Sequence, residues 1–285
     1  PVYNADGNDR IARTNRVTQN GPDGGVGERP NAMGLDLNRD FVKVESPEAR
    51  ALTGLVNELR PIAFMDLHTT NGSYHGYDLT YSPSLSPNAN PALDAYVRGA
   101  LLPGVRERLR LARFEVFDYG NFEYPPRKPG SRGDRGDPVA WSTYDSRPRF
   151  GTNLMGLRDT VSILSEAYSY LPYQRRVEAT YAFMLASLNR IADDREAIQE
   201  LIAASRAGRV DANGEVTWML GVDCELAPGS EAPVRVSDID TVEVDLDPIH
   251  PRRPPPPLDM IFLFEHRKKR PDGCRRKLKS MARGQ

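Results

Sequence analysis

The chain of 285 residues is poor in the residues that staple or metallate small folds: two cysteines, Cys224 and Cys274, and four histidines, His68, His75, His250 and His266. Two cysteines make neither a disulfide framework nor a zinc knuckle, so stability must come from a buried core. With 39% hydrophobic residues, one large core is attainable. No apolar run approaches the roughly 20 residues that span a bilayer, and no secretory signal stands at the start. The chain opens on Pro1 rather than Met, and its first residues read as the interior of a domain. The expectation is therefore further sequence ahead of Pro1, where any export signal would lie. Charge of one sign is lacking too: the formal net charge is -1, which gives no global pull toward nucleic acid.

That sum hides an asymmetry. From Arg252 to Gln285 there are 11 Lys and Arg against 3 Asp and Glu. The shift coincides with RRPPPP, Arg252 to Pro257, which reads as a stiff polyproline linker. A basic tail can meet an anionic surface. Composition alone reads more simply as a disordered extension or a misread gene end.

Residues 2–29 are rich in Asn, Asp and Gly and read as loop, followed by a short strand leading into GLDLNRDF, Gly34 to Phe41. Ser46 and Pro47 have the chemistry of an N-cap and a first helical position. Leu52, Leu55, Val56 and Leu59 then recur at helical spacing, with a stop before Pro61. Ile62 to His68 is an apolar run suited to a buried strand, and it empties into the polar loop TTNGSYHGY. Pro91 to Arg113 reads as a helix with Leu93, Val97, Leu101 and Leu109 inward, kinked or divided at Pro103. Phe114 to Gly120 alternates like a strand. Glu123 to Arg149, dense in Pro, Gly and charge, reads as a long loop.

Thr160 to Glu166 is another apolar strand. Gln174 to Arg206 is the longest helical pattern, with Val177, Tyr181, Met184, Leu185 and Leu188 on one face. Short alternating segments after Gly208 suggest a small β appendage. Strands alternating with helices imply an α/β domain with a largely parallel sheet, whose ligands gather at the carboxyl ends of strands. The expected division is a main domain over 1–206, a β-rich appendage over 207–250, and a linker and basic tail over 251–285.

Three segments at apparent strand ends carry chemistry. His68 closes an apolar strand and faces a polar loop, a place for a metal-ligating imidazole. Alone, a histidine there is more often structural. Glu166 ends an apolar strand beside Tyr168 and Tyr170, and a carboxylate in apolar surroundings has the raised pKa of a general base. A salt bridge to one of the many arginines is its plainer explanation. Asn38 and Arg39 sit between Leu37 and Phe41, where a guanidinium can hold a carboxylate with two parallel hydrogen bonds. An ion pair of Arg39 with Asp36 or Asp40 competes with that reading.

Taken in order, NADG (Asn4 to Gly7), GLDLNRDF, PEARAL (Pro47 to Leu52), DLHTTNG (Asp66 to Gly72) and ILSEAYSY (Ile163 to Tyr170) resemble the zinc carboxypeptidase family, the carboxypeptidase A-like metallopeptidases, and in particular their bacterial members. The resemblance runs from about Pro1 to Arg206. NADG and DLH are weak alone, whereas DLNRDF and ILSEAYSY in this order are specific.

The resemblance implies a three-layer α/β/α fold with a mostly parallel mixed sheet, and hydrolysis of C-terminal peptide bonds by a Zn2+-activated water. It implies Glu166 as general base, His68 as a zinc ligand, and Asn38 and Arg39 as the grip on the peptide's terminal carboxylate. Asp36 matches a carboxylate that orients a ligand histidine. Arg16 is the best match for the arginine that steadies the oxyanion, in competition with Arg10 and Arg13. Tyr144 matches the mobile tyrosine that caps the substrate.

The implied partner is a peptide or peptidoglycan-peptide C-terminus, with no nucleic acid and no membrane span. Secretion or a periplasmic location is the family's habit, and oligomeric state is not legible. The family's His-x-x-Glu motif, which supplies the first two zinc ligands upstream of NADG, does not occur before Asn4. The expectations are thus an incomplete zinc site and little or no peptidase activity in this chain. Other classes compatible with the same residues are a non-catalytic carboxylate-binding relative and an amidohydrolase of the aspartoacylase or succinylglutamate desuccinylase type.

Overall fold

The computed structural model describes residues 2–70, 73–126 and 138–207, and four short strands between 219 and 277. In chain order, α1 (Ala5–Asp9) is followed by a 3-10 turn (Leu37–Arg39), α2 (Pro47–Leu59), β1 (Ala63–Thr69) and β2 (Leu79–Pro83). Next come α3 (Pro91–Tyr96), a π-helical turn (Val97–Leu101), α4 (Leu102–Leu111), β3 (Val116–Asp118), β4 (Asn121–Glu123) and β5 (Ala140–Ser142). Then follow α5 (Gly151–Leu157), β6 (Val161–Ala167), α6 (Tyr173–Asp193) and α7 (Arg195–Ala207). The last strands are β7 (Met219–Leu220), β8 (Glu231–Pro233), β9 (Ile261–Glu265) and β10 (Arg276–Lys277). Strand β9 pairs with β5 and β8, and β10 with β7. Otherwise the expected appendage and basic tail lie outside the described residues.

The main sheet has the order β1-β6-β2-β3. Strands β1 and β6 are parallel, β6 and β2 antiparallel, and β2 and β3 parallel. The protein is therefore α/β with a mixed, mostly parallel sheet, as the sequence pattern implies. Side chains alternate across a sheet, and here the two faces differ in chemistry. One face presents Ala63, Met65, Leu79, Tyr81, Val161 and Ile163 to a core shared with α3, α4, α6 and α7. The other presents Asp66, His68, Thr80, Ser82, Ser162 and Glu166. Helix α5 packs against β6 and β1 on that polar side, close enough that a Cβ on Gly156 would strike the Ser84 hydroxyl.

Local chemistry sets the element ends. The Ser46 Oγ accepts from the Ala49 N–H at 3.0 Å, Pro47 occupies the first turn, and α2 ends at Arg60 in the left-handed region (φ 47°) just before Pro61. The inward set Leu93, Val97, Leu101 and Leu109 is buried as its spacing predicts. The division at Pro103 is real. A proline lacks the N–H that an α-helical ladder needs, and the π-helical turn immediately precedes α4, which carries Pro103 in its first turn.

Four expectations are corrected. No strand precedes GLDLNRDF: the segment is a 3-10 turn because Asp36 caps it, accepting from the Asn38 N–H at 3.0 Å. The segment 63–69 forms a strand but is only half-buried, since β1 is an edge of the sheet, and the fully buried interior strands are β6 and β2. The long segment after Glu123 is not all loop, because β5 pairs with β4 there. The helical pattern over 174–206 is two helices, α6 and α7, that meet at Asp194, and the apolar stripe of α6 faces outward. Val177, Tyr181, Leu185 and Leu188 are 43–59% exposed, whereas Ala179, Phe183, Ala186 and Ile191 face the core. Small residues bring this helix close to the sheet, where Phe183 stacks on Tyr81 with ring centroids 5.6 Å apart.

Candidate active site

The parallel ladder between β1 and β6 places His68 directly opposite Glu166, and the antiparallel ladder places Thr80 opposite Glu166 on its other side. Register partners project to the same face. Histidine and glutamate, 98 positions apart, therefore meet at the carboxyl ends of two adjacent strands. Asp66, two residues before His68 on the same strand, shares that face, and its Oδ1 lies 2.8 Å from the His68 Nε2. Burial disfavours the His68 cation, but Asp66 and Glu166 outweigh it and lift the imidazole to about 9.

Glu166 is 9% exposed, and among the described residues its Oε2 has no hydrogen-bond partner. Burial, with a smaller push from Asp66, raises its carboxyl to about 7 against the pull of His68, Arg16 and Arg29. An acid poised near neutrality is what general-base chemistry asks for.

Arg16 is held with φ 45° in the left-handed region, which an L side chain rarely adopts. Partial burial and neighbouring Arg29 lower its pKa against the attraction of Glu166 and Asp36. The N-terminal segment that carries it is pinned from both ends. The Asn4 Oδ1 accepts from the Gly7 N–H at 3.0 Å, and the Gly7 carbonyl accepts from the Glu28 N–H at 2.8 Å. A Cβ on Gly7 would come within 2.5 Å of the Glu28 carbonyl oxygen, so the glycine of NADG is a packing requirement.

Among the described residues Asp36 touches no histidine. It caps the 3-10 turn and accepts from the Arg29 Nε at 2.9 Å. The carboxylate set against His68 is Asp66, the first residue of DLHTTNG. Both Asn38 backbone groups are engaged, its N–H by Asp36 and its carbonyl by the Arg39 guanidinium at 2.8 Å. Arg39 lies over the Phe150 ring, 4.6 Å from its centroid. Burial and Arg29 and Arg149 lower its pKa, against Asp36 and Asp145. With Asp36 bonded to Arg29, no carboxylate among the described residues forms an ion pair with Arg39.

Tyr144 packs its ring edge-on against Tyr119 and Phe150, with centroids 5.8 and 5.1 Å away. Its hydroxyl is shielded from solvent, and burial pushes its ionisation far up. The side chains of Ser82 and Thr152 lie within its reach. Here the expected capping tyrosine is an interior residue beside the site.

The remaining histidine of the described residues, His75, is fully buried among Tyr77, Tyr168 and Trp141. Its Nδ1 accepts from the Tyr77 N–H at 3.3 Å.

A catalytic zinc takes three protein ligands. Among the described residues no group of three or more His, Cys, Asp or Glu side chains is arranged to hold a metal. His68, with Asp66 beside it, is the one histidine among the described residues at the carboxyl ends of the strands. The described residues thus do not fit a complete zinc centre. No helix among them is long and apolar enough to cross a membrane.

No protein-family model matches the sequence, and no curated protein is significantly similar to it. Among solved structures, a metallo-carboxypeptidase from Pseudomonas aeruginosa in complex with (2-guanidinoethylmercapto)succinic acid is similar at 20% identity and TM-score 0.41. That match covers 60% of this chain and 43% of the other. A metallo-carboxypeptidase from Burkholderia cenocepacia gives 18% and 0.40 over the same shares. A carboxypeptidase A-type protein from Shewanella denitrificans OS-217 gives 22% and 0.39, over 63% and 44% of the two chains. The chain thus spans less than half the length of the structures it is similar to.

Proposed function

We propose that this chain carries the general-base and terminal-carboxylate-binding portion of a metallocarboxypeptidase-like hydrolase. Its substrate would be the C-terminus of a peptide. The observation that carries the reading is the ladder pairing of His68 with Glu166, with Glu166 raised to about 7 by burial, beside an arginine cluster that includes Arg39.

In this reading Glu166 takes a proton from the attacking water and passes it to the leaving amine. Arg16, which feels the charges of Glu166 and Asp36, stabilises negative charge on the scissile carbonyl oxygen. Arg39 and Asn38 hold the free terminal carboxylate and so restrict cleavage to chain ends. A metal would polarise the carbonyl. His68 can contribute one ligand to it through a neutral imidazole, and the described residues offer no second and third. The chain by itself is therefore expected to bind zinc weakly and to recognise peptide termini without hydrolysing them.

The test is calorimetric titration with a short peptide bearing a free C-terminus and with the same peptide amidated. Binding of the free acid at least tenfold tighter supports the proposal, and equal affinity overturns it.

A further inference from the structure

The arginine cluster has more positive charge than one carboxylate requires. Arg39 and Arg149 both lie over the single ring of Phe150, their guanidinium carbons 4.6 and 4.9 Å from its centroid. Arg39 has no carboxylate partner among the described residues, and its one hydrogen bond goes to the Asn38 carbonyl. Arg149 shares its partner. The Asp145 Oδ2 accepts from the Arg149 guanidinium at 3.0 Å and from the Arg147 guanidinium at 2.7 Å. One carboxylate thus serves two cations.

The Arg149 Nε is buried and has no hydrogen-bond partner. An unpaired buried donor on a cation is costly. The Asp36 carboxylate attracts Arg39 but is hydrogen-bonded to Arg29, at 2.9 Å. Around Phe150, then, two positive charges are left without a countercharge of their own, one at Arg39 and one shared by the Arg147–Arg149 pair. The Phe150 ring meets both guanidinium groups in cation–π contact.

We infer that Arg149 is a substrate-selecting residue that receives a second carboxylate, so that the preferred peptide ends in glutamate or aspartate. This rests on the proposed role of Arg39 in holding the terminal carboxylate. An acidic terminal residue presents two carboxylates on one short unit. Arg39 takes the backbone one, and Arg149, on the same ring and with its side chain 40% exposed, takes the side-chain one through the open part of its guanidinium. A basic terminal residue would meet like charge at Arg149 and Arg147, and an aliphatic one would offer Arg149 no second carboxylate.

The experiment compares three otherwise identical peptides ending in Glu, Leu and Lys, each as free acid and as amide, against the wild-type chain and the Arg149→Gln variant. Calorimetric affinities are the readout, with circular dichroism as a check that the variant is folded. The expected result is that the Glu-terminated free acid binds about tenfold or more tighter than the Leu peptide and that Lys is weakest. In Arg149→Gln the advantage of the Glu peptide over the Leu peptide is lost. If free acids beat amides but Glu shows no advantage over Leu, or keeps it in the variant, the inference about Arg149 is overturned and the terminal-carboxylate reading stands. Should free acids and amides bind alike, the underlying reading fails with it. Arg149→Lys keeps the charge and serves as the second variant: if Arg149→Gln is unfolded, partial retention of the Glu preference in the lysine form supports the role and full retention of it overturns the need for the guanidinium fork.

Discussion

Replacing His75 by phenylalanine should flatten the acid sensitivity of this protein. His75 is fully buried, and burial lowers its pKa to about 3 from the usual 6.5. A base with a depressed folded pKa makes folding favour the neutral form. Its contribution is intact above pH 6.5 and is lost as pH falls from 6.5 toward 3, at about 1.4 kcal/mol per pH unit. Between pH 7.5 and 5.0 the loss attributable to this one side chain is therefore about 2 kcal/mol. Its surroundings, Tyr77, Tyr168 and Trp141, do not change charge in that interval. His68 and Glu166 do titrate, but they are present in both proteins and cancel in the difference.

Phenylalanine suits the aromatic packing but cannot accept from the Tyr77 N–H, which lowers stability by about 1 kcal/mol at every pH. Urea unfolding at pH 7.5 and 5.0 is the assay. A typical slope of roughly 2 kcal/mol/M makes the expected extra drop in wild-type midpoint about 1 M. Parallel pH dependences in the two proteins would refute the claim that His75 is neutral and dry.

Further expectations concern the site and the packing around it. Because burial raises Glu166 to about 7, holding it ionised above that pH costs stability, and Glu166→Gln should gain up to about 3 kcal/mol at pH 8. The gain should shrink as pH falls through 7 toward 4.5, and urea midpoints that do not rise at pH 8 would show that the carboxylate is solvated or paired. A Cβ on Gly151 would lie 2.5 Å from the Phe41 ring, so Gly151→Ala should cost about 1–3 kcal/mol, and Phe41→Leu should restore part of it in a thermal melt. Tyr181→Lys with Leu185→Lys, both on the exposed stripe of α6, should leave stability within about 0.5 kcal/mol per site. A large loss of melting temperature would mean that the stripe is covered.

Much of this architecture is written in periodicity. The run 160–166 encodes a buried strand because nearly every residue on both faces is apolar or small, and β6 is an interior strand. Pro103 divides a helix for reasons intrinsic to proline. Legibility ends where two patterns compete. Helix α6 has two apolar faces, and the more hydrophobic one is not the buried one. Close packing on the sheet selects Ala179, Phe183 and Ala186 instead.

The site shows the same limit. His68 and Glu166 are visible as polar ends of apolar strands, but their adjacency depends on strand order and register. Asp66 was recoverable from the strand's two-residue repeat, which puts it on the His68 face. The relation of Arg149 to Arg39 was not, because it is made across Phe150 by segments 110 residues apart.

The account depends most directly on Arg39 contacting the peptide's terminal carboxylate. The measurement is a double-mutant cycle by calorimetry, with wild type and Arg39→Gln each titrated with a free-acid peptide and its amide. A coupling energy of about 1.5–3 kcal/mol between guanidinium and carboxylate is predicted, as for a charge-assisted hydrogen bond. A coupling indistinguishable from zero, with the free acid still preferred, would place the carboxylate elsewhere and contradict the account.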